Sequence, residues 1–142
     1  MPSSLPCCIM LSISSYVRFS LFPYSAAQQP VQCRLQAIEV NGFVFASGQI
    51  PIDPATGNFV EGGIKEQTRQ SLTNAQNILK AAGTDLSHVV KTTVYLNSMD
   101  DFAAMNEVYA EFFSQPYPAR SAVAVEKLPK GALVEVEVLA AK

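Results

Sequence analysis

The tetrapeptide Val40-Asn41-Gly42-Phe43 constrains this chain more tightly than any other feature. Asn and Gly both tolerate the positive φ that a two-residue type I′ turn requires, so Asn-Gly between apolar runs pins two antiparallel strands and their register. The second strand, residues 43–47, runs into Gly48. Pro51, Asp53-Pro54 and Gly57 then form a loop that neither helix nor strand can cross.

Beyond that loop the spacing of apolar residues changes. Ile64, Thr68, Leu72, Ala75, Leu79 and Ala82 recur at three and four positions with Gly83 behind them, which predicts an amphipathic helix over 64–82 with a glycine stop. Val90, Thr92, Val94 and Leu96 alternate with Lys91, Thr93 and Tyr95, the period of a strand. Ser98 with Asp101 reads as a helix start. That helix carries Phe102, Met105, Tyr109, Phe112 and Phe113 on one side and has to stop before Pro116 and Pro118. Two strands close the chain, one with Val123 and Val125 on a common face, the other with Val134, Val136 and Val138.

The order strand, strand, helix, strand, helix, strand, strand predicts an α/β (α+β) fold: one mixed sheet with both helices on the same face. The opposite face is expected to carry Arg120, Ala122, Ala124 and Glu126 from one strand and Leu133, Glu135, Glu137 and Leu139 from the other. Small and apolar residues among so few charges predict a surface that a second copy covers. With 142 residues, 49% of them hydrophobic, the chain holds material for one core. The domain is expected over residues 36–142.

Residues 1–35 read as an extension. They are rich in Ser, Pro and Cys, carry Arg18 and Arg34, and hold no acidic residue. Such a leader is either a disordered extension or transit-like, which makes the expected compartment the cytoplasm or the mitochondrion. No apolar stretch reaches membrane-spanning length. A net charge of −2 without a run of Lys or Arg predicts neither nucleic acid nor an anionic membrane as partner. Cys7, Cys8 and Cys33 sit too close to the N-terminus to staple the body of the fold, and the single histidine, His88, has no ligand-spaced neighbour. No metal or cofactor is expected.

Arg120, in Pro118-Ala119-Arg120-Ser121, begins a strand after a proline-rich loop. Its planar fork suits a carboxylate gripped in bidentate fashion, or an ordinary ion pair with Glu135 or Glu137. Those glutamates interrupt a Val-rich strand; either can orient or deprotonate water, or belong to a structural pair. Asn106, between Phe102 and Tyr109, either fixes a ligand loop or bonds helix to backbone. Ser47-Gly48-Gln49 can offer backbone N–H groups to an anion. There is no Ser-His-Asp or Cys-His set, no phosphate loop and no dinucleotide fingerprint.

Together, Ser47-Gly48-Gln49-Ile50-Pro51, Val90-Lys91-Thr92-Thr93-Val94, Asn106 with Tyr109 and Phe112-Phe113, Pro118-Ala119-Arg120-Ser121, Leu128-Pro129-Lys130-Gly131 and Val134-Glu135-Val136-Glu137 resemble the RidA (YjgF) family of reactive-intermediate imine deaminases. The resemblance covers residue 36 to the end. It implies a chorismate-mutase-like fold, a homotrimer with ligand clefts between subunits, and hydrolysis of 2-aminoacrylate and related 2-imino acids to 2-keto acids and ammonia. Carried over by motif, it implies that Arg120 holds the substrate carboxylate, that Glu135 activates water, and that Ser47, Gly48 and Asn106 shape the cleft. Imines already hydrolyse in water, so a site that positions a water and handles protons needs no metal or covalent nucleophile.

Two departures from the family pattern stand out. Ala122 occupies a position where some relatives carry cysteine. The pattern Gly-Pro-Tyr-Ser-Gln-Ala is also split: either Arg34 takes the tyrosine's place before Gln36-Ala37, or Tyr24, in Phe22-Pro23-Tyr24-Ser25, keeps it across an inserted stretch, residues 26–35. A trimer that binds small ligands without turnover is therefore the competing reading. The ribonuclease or translation-inhibitor activity ascribed to some relatives is disfavoured by the acidic balance and the lack of a basic, aromatic groove.

Overall fold

Asn41 and Gly42 take φ of 48° and 77°. Their turn joins β2 (Ala37–Val40) to β3 (Phe43–Ala46) in the antiparallel register expected, Val40 opposite Phe43. The structure, a computed structural model, describes residues 35–142 and, upstream, the backbone of β1 (Val17–Arg18). This two-residue strand comes from within the segment read as an extension and pairs with β2. Then follow α1 (Ile64–Ala81), β4 (Val89–Leu96), α2 (Phe102–Phe112), β5 (Ala119–Ala124) and β6 (Val134–Ala141).

The strands lie in the order β1-β2-β3-β6-β4-β5. β6 runs antiparallel between β3 and β4, and β5 runs parallel to β4 at the edge. Parallel neighbours need a crossover, which α2 supplies from β4 to β5 as α1 does from β3 to β4. Both crossovers step in the same direction across the sheet, so the right-handed rule brings both helices to one face. The expectation of a single mixed sheet with two helices on one side is met.

Between helices and sheet lie Leu72 and Leu79 of α1, Met105 of α2, and Val44, Val94, Leu96, Val134, Val136 and Val138, all buried. α1 opens with the Gly63 N–H donating to the Glu66 carboxylate at 2.9 Å. It closes at Gly83, φ 83°, with Thr84 N–H bonded to Leu79 O and Gly83 N–H to Lys80 O, the paired bonds that make glycine the stop. Arg69 reaches Glu111 at 3.0 Å and Lys65 pairs with Glu107, tying α1 to α2 along their exposed side.

The buried stripe of α1 is more polar than its periodicity predicts. Gln67 accepts from Leu133 N–H, and Asn74 donates to the carbonyls of Ile50 and Ile52, anchoring two loops that carry no ladder of their own. Val90 is exposed rather than in step with Thr92, because a bulge between Val89 and Lys91 inserts one residue into β4. Ser98 caps a 3-10 turn, Met99–Asp101, and α2 begins only at Phe102.

Faces follow from register. Thr92, Val94 and Leu96 look to the helices, and opposite them on β5 stand Arg120, Ala122 and Ala124. The expectation that these three residues lie on the uncovered face is thus reversed, and Val123, expected on the core side, is 47% exposed on the open one. Glu135, Glu137 and Leu139 do lie on the open face, in line with Tyr95, Thr93 and Lys91. Phe43 and Phe45, 41% and 45% exposed, extend that face across β3, an apolar area typical of one that meets a partner.

Candidate functional site

Arg120 is the second residue of the edge strand β5, where the proline-rich segment before it ends. Its side chain rises on the helix side beneath α2. One terminal N–H donates to Asn106 Oδ1 at 2.7 Å. The guanidinium carbon lies 4.6 Å from the centre of the Tyr109 ring and 5.4 Å from that of Phe102, both within cation–π range. Asn106 is therefore neither a helix-to-backbone bond nor an isolated amide.

The ion pair weighed between Arg120 and Glu135 or Glu137 does not form within the chain, since the glutamates leave the sheet on its other side. Among the described residues no carboxylate pairs with Arg120. The N–H groups that Asn106 does not engage are the fork that a planar carboxylate fits.

Behind the guanidinium, Tyr109 is held in turn. Its hydroxyl lies 2.8 Å from Thr92 Oγ1 in a buried contact, and its ring packs on Phe113 with centroids 4.5 Å apart. Burial pushes the phenol's pKa up, and the Thr92 hydrogen bond and the Arg120 charge pull the other way; the net shift is upward, so the ring stays neutral at physiological pH.

Glu135 and Ser47-Gly48-Gln49 make the second cluster. Gln49 pairs with Val136 through two backbone bonds of 2.8 and 3.0 Å, Ser47 N–H donates to Gln36 O, and the Ser47 hydroxyl donates to Leu35 O at 2.6 Å. Two of the backbone N–H groups expected to bind an anion at this turn are thus engaged, that of Ser47 with Gln36 and that of Gln49 with Val136. Gly48 takes no positive φ; its lack of a Cβ leaves the space across which the Glu135 side chain lies. A Cβ there would sit 1.9 Å from Glu135 Oε1 and 2.8 Å from its Cδ. Gly48→Ala is accordingly expected to displace the glutamate at less than about 1 kcal/mol of stability in chemical denaturation, because the far end of that flexible side chain can swing aside; a larger fall in the midpoint would mean that the side chain cannot give way.

A shallow hollow of about 660 Å³ lies on the open face, bordered by Ile38, Phe45, Ser47, Lys91, Thr93 and Glu137. It is on the opposite side from Arg120 and marks the uncovered sheet rather than an enclosed site. Among the described residues no three His, Cys, Asp or Glu side chains gather as a metal site would require. No helix of the described residues is long and apolar enough to cross a membrane. Tyr24 and Arg34 lie outside the described residues.

Sequence reading grouped Arg120, Glu135, Ser47, Gly48 and Asn106. The structure joins Arg120 to Asn106, and Glu135 to Gly48 beside Ser47, as two half-sites on opposite faces of one sheet. Phe102, Tyr109 and Thr92 were read only as core or strand positions. Their signal was present: Asn106 falls between two aromatic residues four before and three after it, a spacing that puts all three beside one another on a helix.

A family model described as endoribonuclease L-PSP matches residues 26–142. A RutC family protein of Pyrococcus horikoshii is 55% identical over 116 residues, 82% of this chain and 92% of that protein. The 2-iminobutanoate/2-iminopropanoate deaminase of the goat, Capra hircus, is 49% identical over 105 residues, 74% of this chain and 77% of its own length. A solved structure of a Rid-family protein of unknown function from Yersinia pestis superposes with a TM-score of 0.82 at 44% identity, covering 87% of this chain and 98% of the other. Identity of this order over most of the chain, together with the matching solved fold, is a statement about descent as well as shape, and the chain belongs to the RidA (YjgF) family, the endoribonuclease L-PSP proteins.

Proposed function

We propose that this chain hydrolyses reactive 2-imino acids, the tautomers of enamines such as 2-aminoacrylate, to 2-keto acids and ammonia. The observation that carries this reading is the Arg120 guanidinium, oriented by Asn106 and two aromatic rings with no carboxylate partner among the described residues. A fixed fork on a rigid strand suits a small organic acid. The deaminase name borne by mammalian relatives at 47–49% identity supports the same class of substrate.

In this reading Arg120 holds the carboxylate and Glu135 takes a proton from the water that attacks the imine carbon. As water's oxygen bonds to carbon the imine nitrogen takes up that proton, giving the carbinolamine; Glu135 then takes the carbinolamine's hydroxyl proton and passes it to the amine, so that the C–N bond breaks and ammonia leaves as the carbonyl forms. The two half-sites leave opposite faces of one chain's sheet, so the reading includes a homotrimer whose clefts combine Arg120 of one subunit with Glu135 of the next. The apolar open face, with Phe43, Phe45 and Val123, supports such an assembly. The proposed compartment is the cytoplasm, or the mitochondrion where residues 1–35 direct import.

The test is pyruvate formation from 2-aminoacrylate generated by a serine dehydratase, with the oligomer measured by light scattering. Faster release of pyruvate than in buffer is expected from a trimer; a monomer, or binding of 2-keto acid with no acceleration, would leave only a ligand-binding protein.

A further inference from the structure

We propose that Tyr109, locked by Thr92, is a positioning residue that sets the plane of the Arg120 guanidinium and so determines how tightly the site grips 2-imino and 2-keto acids; this rests on the carboxylate-binding role given to Arg120 above. A guanidinium at the end of a flexible side chain recognises a carboxylate only when both are coplanar. A single hydrogen bond to Asn106 leaves rotation about that bond open. The ring face of Tyr109, 4.6 Å from the guanidinium carbon, closes that freedom.

Tyr109 can do so only if it is itself immobile. It is 5% exposed, its hydroxyl meets Thr92 at 2.8 Å, and its ring is backed by Phe113 at 4.5 Å. Thr92 lies directly beside Arg120 across the β4–β5 ladder. The strand that carries the arginine's neighbour therefore also holds the ring that restrains the arginine. Thr92, Tyr109, Arg120 and Asn106, in that order, form one continuous chain of contacts that passes from sheet to helix, back to the sheet and again to the helix.

Thr92→Val keeps the shape and removes the hydroxyl; Tyr109→Phe keeps the ring and removes its anchor. Each is expected to raise the KM for the imino acid, and the dissociation constant of 2-oxobutanoate measured by calorimetry, by about three- to tenfold with kcat changed less than about twofold. The double variant is expected to be no worse than either single one, because both remove the same bond. Tyr109→Leu, lacking the ring face, is expected to weaken binding further than Tyr109→Phe.

A structural role alone would lower the melting temperature without moving these constants. Constants within about 1.5-fold of the parent in both Thr92→Val and Tyr109→Phe would overturn the proposal, whether or not Tyr109→Leu folds. Failure of the deaminase reading shows separately, as an unaccelerated parent protein. Binding of 2-oxobutanoate that is lost in Arg120→Ala still reports the grip in that case.

Discussion

Arg120→Ala is expected to lower kcat/KM for 2-iminopropanoate by at least about 100-fold, since a bidentate charge-assisted pair is lost and each factor of ten corresponds to about 1.4 kcal/mol. The fold should be retained. Arg120 is only half-buried, its charge is not compensated by a carboxylate among the described residues, and truncation leaves Asn106 near solvent. Melting within a few degrees of the parent, with the oligomer intact, is the expected companion result. Arg120→Lys keeps the charge but not the fork, and should recover only part of the loss. Near-parental activity in Arg120→Ala would end the assignment of the carboxylate grip.

Glu135→Gln is expected to act on the other parameter. An amide keeps the size that rests on Gly48 but cannot take a proton, so kcat should fall by about 10²–10⁴-fold while KM moves little. A fall in affinity with kcat preserved would mean that Glu135 shapes the cleft and does not handle protons. The opposite-face geometry adds a sharper outcome. Trimers assembled at random from equal amounts of Arg120→Ala and Glu135→Gln chains should regain about a quarter of the parental sites, because a cleft between neighbours can draw its arginine and glutamate from different chains. A mixture as inactive as its two components would show that both groups serve the site from one chain.

Legibility in the sequence followed the range of the physics. The Asn41-Gly42 turn, the α1 stop at Gly83 and the Val134, Val136 and Val138 stripe were readable because turn geometry and side-chain period are local properties. The position of Val90 was not, since a bulge shifts register without leaving a mark in an alternating pattern. The facing of β5 was not either. Period two says which residues share a face and is silent on which face is covered. In Ala119–Ala124 the small residues on both sides of an edge strand offered no apolar contrast to decide it.

What the sequence by itself determined is the class of the fold and the candidates for its chemistry: a mixed sheet under two helices, an arginine after a proline-rich loop, and glutamates in a valine strand. Those are matters of local propensity and of side-chain chemistry. Only the tertiary structure decided that Arg120 stands on the helix side with Asn106, Tyr109 and Phe102, and that Glu135 lies over Gly48 on the other. The reason is the sheet order. Inserting β6 between β3 and β4 and running β5 parallel to β4 aligns Arg120 with buried Thr92, a juxtaposition of residues 28 positions apart that no spacing rule contains.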